Sequence, residues 1–155
     1  MTLGQLNEAI QAAMGWCGYH LHAFDVDGRQ YGDPRAVDDV ANDARLTVGG
    51  LLTSGVTRFG YTYDFGDDWE HAILIEARPP SAEGRAYPAC VAGKRACPPD
   101  DCGGIWGYQD LLTARGPTHP RYDEWTDLGG DEDFDPDAFS VEAADARVAA
   151  HFRRS

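Results

Sequence analysis

Residues 58–76 read RFGYTYDFGDDWEHAILIE, and this stretch decides the fold. Phe59, Tyr61 and Tyr63 alternate with smaller or polar residues, and Trp69, His71, Ile73 and Ile75 then do the same, so each half predicts a strand with one apolar face. Asp64 to Asp68 predicts the turn between them, because Asp and Gly tolerate the backbone angles that a tight reversal needs. An antiparallel hairpin with its large side chains on one side must be covered by helices.

Working outward, HLHAFDV at residues 20–26 alternates in the same way and meets Asp27-Gly28, a two-residue hairpin signal leading into Arg29 to Tyr31. Upstream, Thr2 and Gln5 have the spacing of a capping box, and Leu3, Leu6, Ile10 and Ala13 recur at helical spacing as far as Gly15. Gly32-Asp33-Pro34 ends the first hairpin. The polar stretch to Arg45 predicts loop or short helix before a helical turn from Thr47 through Leu52. Downstream, helices are predicted over Tyr108 to Arg115, from Pro120 to Gly129, and after Ser140, where Val141, Ala144, Val148 and Phe152 share one face. The sum is one α+β domain over residues 1–155: a small, mainly antiparallel sheet of hairpins with an N-terminal helix and a C-terminal helical segment.

The 155 residues are 43% hydrophobic, enough for a single core without staples. No apolar run is long enough for a membrane helix, and MTLGQLNEAI carries no secretion signal, so a cytoplasmic protein with reduced cysteines is expected. The net charge of −13 repels phosphate backbones, and no basic stripe with interleaved aromatics overrides it, so direct nucleic-acid binding is excluded from the expectation. Partners are then a protein or a small-molecule ligand.

Between Arg78 and Gly107 lies a long Pro-, Gly- and Cys-rich loop, of the length that function or a bound group usually explains. Cys90, Cys97 and Cys102 in it offer three thiolates to a zinc ion, with His71 or His119 as fourth ligand, or Asp101 for a more open site. They equally suit small buried residues, with Cys97 and Cys102 able to form a disulfide on oxidation. Asp67, Asp68, Glu70 and His71 are the candidates for acid–base or metal chemistry, although Glu70 and His71 point to opposite strand faces. His20 and His22 lie two apart on one strand face and await a third ligand. Asp131, Asp133, Asp135, Asp137 and Glu142 fit a calcium-loop spacing, but Pro136 stands where that loop needs Gly, which favours an Asp-rich turn into a helix.

HLHAF at 20–24, YGDP at 31–34, YDFGDDWEH at 63–71, YPACVAGKRACPPDDCGG at 87–104 and FDPDAF at 134–139 resemble, in order, the motifs of the plasmid pRiA4b ORF-3-like family. The resemblance covers nearly the whole chain. Members are sometimes labelled resolvases or passengers of insertion elements, which implies a mobile-element association. A recombinase, however, needs a nucleophile among cationic groups and a basic DNA surface, whereas the arginines here are scattered. Members usually carry two further strands ahead of the first helix, so an exposed sheet edge is expected, with a homodimer as one way to cover it. The reading is a binding or interaction module with Tyr61, Tyr63, Trp69, Trp106 and Tyr108 as its contact surface. The alternative is a metal-dependent, hydrolase-like enzyme using the cysteine loop and the acidic hairpin.

Overall fold

The computed structural model describes residues 1–76, 84, 86–114, 118–127 and 134–153. Helix α1 (Leu3–Met14) is closed at both ends. Thr2 and Gln5 exchange the two hydrogen bonds of a capping box, and Gly15 takes the left-handed conformation (φ 84°) that stops the helix. Strands β1 (His22–Val26) and β2 (Arg29–Gly32) join through Asp27 and Gly28, both left-handed, as their two-residue turn requires. The second hairpin is β4 (Arg58–Tyr63) and β5 (Trp69–Leu74).

These strands form a five-stranded sheet in the order β3-β2-β1-β4-β5, antiparallel except where the two-residue β3 (Ala41–Asn42) pairs parallel with β2. A 3-10 turn (Asp43–Arg45) and the short α2 (Val48–Thr53), capped by Thr47, carry the chain from β3 to β4. The C-terminal part contains α3 (Gly104–Thr113), α4 (Tyr122–Asp127) and α5 (Val141–Phe152), the last capped by Ser140. An α+β architecture is therefore observed, and no described helix is long and apolar enough to cross a membrane.

Register explains the core. Tyr61 pairs with Phe24 on one side and His71 on the other, and Tyr63 with His22 and Trp69, so the large rings collect on one face. Tyr61 and Tyr63 are each 1% exposed and Trp69 8%, so these three lie in the core rather than on the contact surface expected of them. Burial of each such ring contributes about 1.5–3 kcal/mol. The Tyr61 hydroxyl accepts a hydrogen bond from Gln11 Nε2 and donates one to Asn7 Oδ1, both at 2.7 Å, tying α1 across the sheet. Burial pushes the Tyr61 pKa well above the usual phenol range and that of Tyr63 up to about 12. Helix α5 is fastened to α1 by Arg147, which donates to the carbonyls of Ala12 and Ala13 at the C-terminus of α1.

Three expectations shift. β3 is too short to show a period of two in sequence. The third helix starts at Gly104 rather than Tyr108, because Gly104 and Gly107 serve close packing: a side chain at Gly104 would collide with the Asp67 carbonyl, and one at Gly107 with the Cys102 carbonyl. Strand β1 begins at His22, leaving His20 ahead of it. Arg115, Gly129, Asp131 and Asp133 lie outside the described residues. Asp135 Oδ1 accepts from Asp137 N at 2.9 Å, the Asx turn expected before the last helix.

Candidate functional site

The cysteine loop is held by polar bonds on all sides. Cys90 N donates to Asp145 Oδ1 (2.8 Å) on α5, and Ala96 N to Pro136 O (3.0 Å). Trp16 Nε1 donates to Pro98 O (2.9 Å) and Cys17 N to Asp100 Oδ2 (2.9 Å), fixing the loop to the end of α1. Gly103 N donates to Asp67 Oδ2 (3.0 Å), fixing it to the β4–β5 turn. With each bond contributing on the order of 1 kcal/mol, the loop has its own means of ordering.

Docked in this way, the loop roofs an apolar cavity of ≈ 560 Å³ whose walls include Met14, Trp16, Trp69, His71, Cys90, Cys97, Phe139 and Ala143. Trp16 stacks on Tyr63 (centroids 4.8 Å apart) and meets the edge of His71 at 5.8 Å, so one wall is an aromatic sheet continuous with the core. Two wall residues carry buried nitrogens without a hydrogen bond among the described residues, Trp69 Nε1 and His71 Nδ1. Burial lowers the pKa of His71, which therefore sits neutral at pH 7. Lys94, Arg95 and Arg147 also line the cavity, three of the 13 basic residues of a chain whose net charge is −13.

Two of the loop's thiols, those of Cys97 and Cys102, are held protonated. Burial, reinforced by Asp100, pushes Cys97 up to about 12, and burial with Asp67 pushes Cys102 up to about 11. All four cysteines are unpaired. Cys90, Cys97 and Cys102 do not gather with His71 or His119 into a three-ligand set among the described residues. His71 faces the cavity, and His119 Nδ1 accepts from Arg121 N at 3.2 Å beside α4.

The acidic hairpin is largely fold chemistry. Asp64 Oδ1 accepts from Gly66 N (2.9 Å) and Asp67 N (3.3 Å), closing the turn, and Asp64 and Asp68 both adopt the left-handed conformation. Asp67 clamps the loop, Asp68 and Glu70 are exposed, and His71 points to the other face, so these four do not converge. His22 Nε2 lies 2.9 Å from Asp43 Oδ2, a largely buried pair. His20 faces elsewhere: its Nε2 lies 3.1 Å from Asp101 Oδ1 and 3.7 Å from Asp64 Oδ2.

Comparison with known proteins meets the motifs at this point. The profile described as plasmid pRiA4b ORF-3-like protein matches residues 1–143. The chain belongs to that family. A relative, the uncharacterized protein y4hQ of Sinorhizobium fredii, is 39% identical over 139 residues, 87% of this chain and 71% of the relative. The crystal structure of a protein of unknown function, MM3350 from Methanosarcina mazei, has 36% identity and a TM-score of 0.77, covering 91% of this chain and 82% of that one. In pRiA4b ORF-3-like terms, HLHAF, the DFGDDWEH turn and the CPPDDC segment come together around His20, Asp64 and Asp101.

Of the aromatics expected on a contact surface, Trp69 reaches the cavity and Trp106 is 79% exposed on α3, so the five do not share one surface. Sequence reasoning did not single out Trp16 or the cations at 94, 95 and 147. Trp16 stands immediately after the helix-ending Gly15, which was the available signal.

Proposed function

We propose that this chain is a binding module whose ligand is a small apolar molecule bearing an acidic group, held in the cavity beneath the cysteine loop. The observation that carries this reading is the pairing of an aromatic pocket of ≈ 560 Å³ with Lys94, Arg95 and Arg147 in its wall. A volume of that size suits a drug-sized molecule, and such sites combine apolar walls with few polar groups that fix orientation. In an acidic chain, cations gathered at one apolar site favour an anion there. Arg147 is engaged with α1 and Arg95 lies 3.5 Å from Asp137, while Lys94 makes no ion pair among the described residues. Lys94 is thus the first candidate for the ligand's charge, and the Trp69 and His71 nitrogens for its polar atoms.

Anilinonaphthalene sulfonate, an aromatic body with one anionic group, is a suitable probe. Fluorescence titration of the native protein is expected to show one saturable site. Lys94→Ala should weaken it about tenfold, equivalent to about 1.4 kcal/mol. Ala143→Trp, which adds bulk to an exposed wall position, should abolish it. Binding unchanged in Ala143→Trp, with near-ultraviolet circular dichroism showing native packing, would overturn the assignment.

A further inference from the structure

A second site stands apart from this cavity and does not depend on it. Among the described residues, His20, Asp64 and Asp101 form the one group of three metal-ligating side chains whose donor atoms all lie within 4.8 Å of one another. They stand within ion-pair distance without a hydrogen bond between them. His20 Nε2 is buried from solvent and makes no hydrogen bond among the described residues, although Asp101 Oδ1 is 3.1 Å away and Asp64 Oδ2 3.7 Å. The Asp64 side chain is only 10% exposed; its Oδ1 closes the β4–β5 turn, whereas its Oδ2 accepts no hydrogen bond among the described residues and faces the imidazole. A buried nitrogen that faces two carboxylates without a hydrogen bond to either carries an uncompensated desolvation cost.

We propose that His20, Asp64 and Asp101 bind a divalent first-row transition-metal ion. Donors about 2.0–2.2 Å from one ion, at tetrahedral to octahedral angles, stand roughly 3.0–3.5 Å from each other. The two distances from His20 Nε2, 3.1 and 3.7 Å, are close to that range, all three donors lie within 4.8 Å of one another, and an ion would satisfy the unpartnered imidazole nitrogen. The backbone makes the site before the ion arrives. Asp64 is placed by the turn it closes, and Asp101 by the flanking Asp100–Cys17 and Asp67–Gly103 bonds. His20 also borders a cavity of ≈ 310 Å³, room for the waters that would complete the shell. One imidazole and two carboxylates suit manganese, iron or zinc; the thiols are not involved.

Manganese(II) is the probe of choice, because its preference for oxygen and imidazole donors keeps it off Cys90, Cys97 and Cys102. Chelator-treated protein is titrated at pH 7.5 while the electron paramagnetic resonance signal of free manganese is followed. One ion per chain is expected, half-saturating below a millimolar. His20→Ala and Asp101→Asn should each weaken it tenfold or more, and Asp43→Asn, at the neighbouring histidine pair, should leave it unchanged. Asp101 is two-thirds exposed, so its variant tests the site even where His20→Ala is poorly folded. No stoichiometric binding, or binding indifferent to both ligand substitutions, overturns the proposal.

Discussion

His20 and His22 are two residues apart, each faces aspartate, and they end in opposite states. His22 meets Asp43 at 2.9 Å, with both side chains mostly buried, and the contact is complete. His20 meets two carboxylates yet forms no hydrogen bond. The difference lies in what presents the acid. Asp43 opens a 3-10 turn packed under α1, close enough to Gly4 that the helix backbone fixes its position. Asp64 and Asp101 come from two turns whose left-handed residues aim them at one point from different sides. A satisfied pair holds a fold together, whereas an unsatisfied convergence has room for something else.

The largest effect expected from testing this contrast is in stability. Asp43→Ala strands a mostly buried imidazole and should cost about 2–3 kcal/mol in urea denaturation. His20→Ala, measured without metal, should cost under about 1 kcal/mol, since no bond is lost. Equal losses would erase the distinction between the two histidines.

A third histidine extends the comparison to pH. Burial holds the pKa of His71 below its ordinary 6.5. As pH falls through about 6.5, the unfolded chain takes up a proton there that the folded chain refuses, so unfolding becomes more favourable. The slope contributed by this one site approaches at most about 1.4 kcal/mol per pH unit. Comparing denaturation curves of wild type and His71→Gln between pH 5 and 7.5, the variant should show the shallower dependence; a variant with the same slope would remove His71 as the cause.

Asp67→Ala should also have a small effect, about 1 kcal/mol, by freeing the loop at Gly103. The same variant should loosen manganese severalfold without touching a ligand, because it unpins the segment carrying Asp101. Unchanged affinity would mean that the loop holds Asp101 without this bond.

Local chemistry made much of the fold readable. Thr2 and Gln5 announced the first helix, Asp27-Gly28 the first hairpin, and alternation through Phe59, Tyr61 and Tyr63 the central strand, because each signal involves neighbours in sequence. The same alternation put Tyr61 and Tyr63 on one face, but whether that face met a helix or solvent depended on α1, whose Asn7 and Gln11 complete the Tyr61 hydroxyl. The site was readable only in pieces. His20, the acidic turn and Asp101 each stood out as potential ligands, while their meeting depends on packing between segments far apart in the chain. The cysteines drew attention by type, yet the loop's order comes from the carboxylates of Asp67, Asp100 and Asp145 and from backbone carbonyls, which no spacing rule marks.

Those loop bonds span 36 to 83 residues of chain, which has a kinetic meaning. Contacts of long separation carry a large closure entropy and form late, after the local hairpins and α1 have condensed. The loop should therefore dock near the end of folding, and substitutions in it should speed unfolding while leaving the folding rate almost untouched. Cavity and metal ligands alike are then the last parts of the molecule to assemble and the first to open, so occupancy of either site would register as a slower departure from the native state.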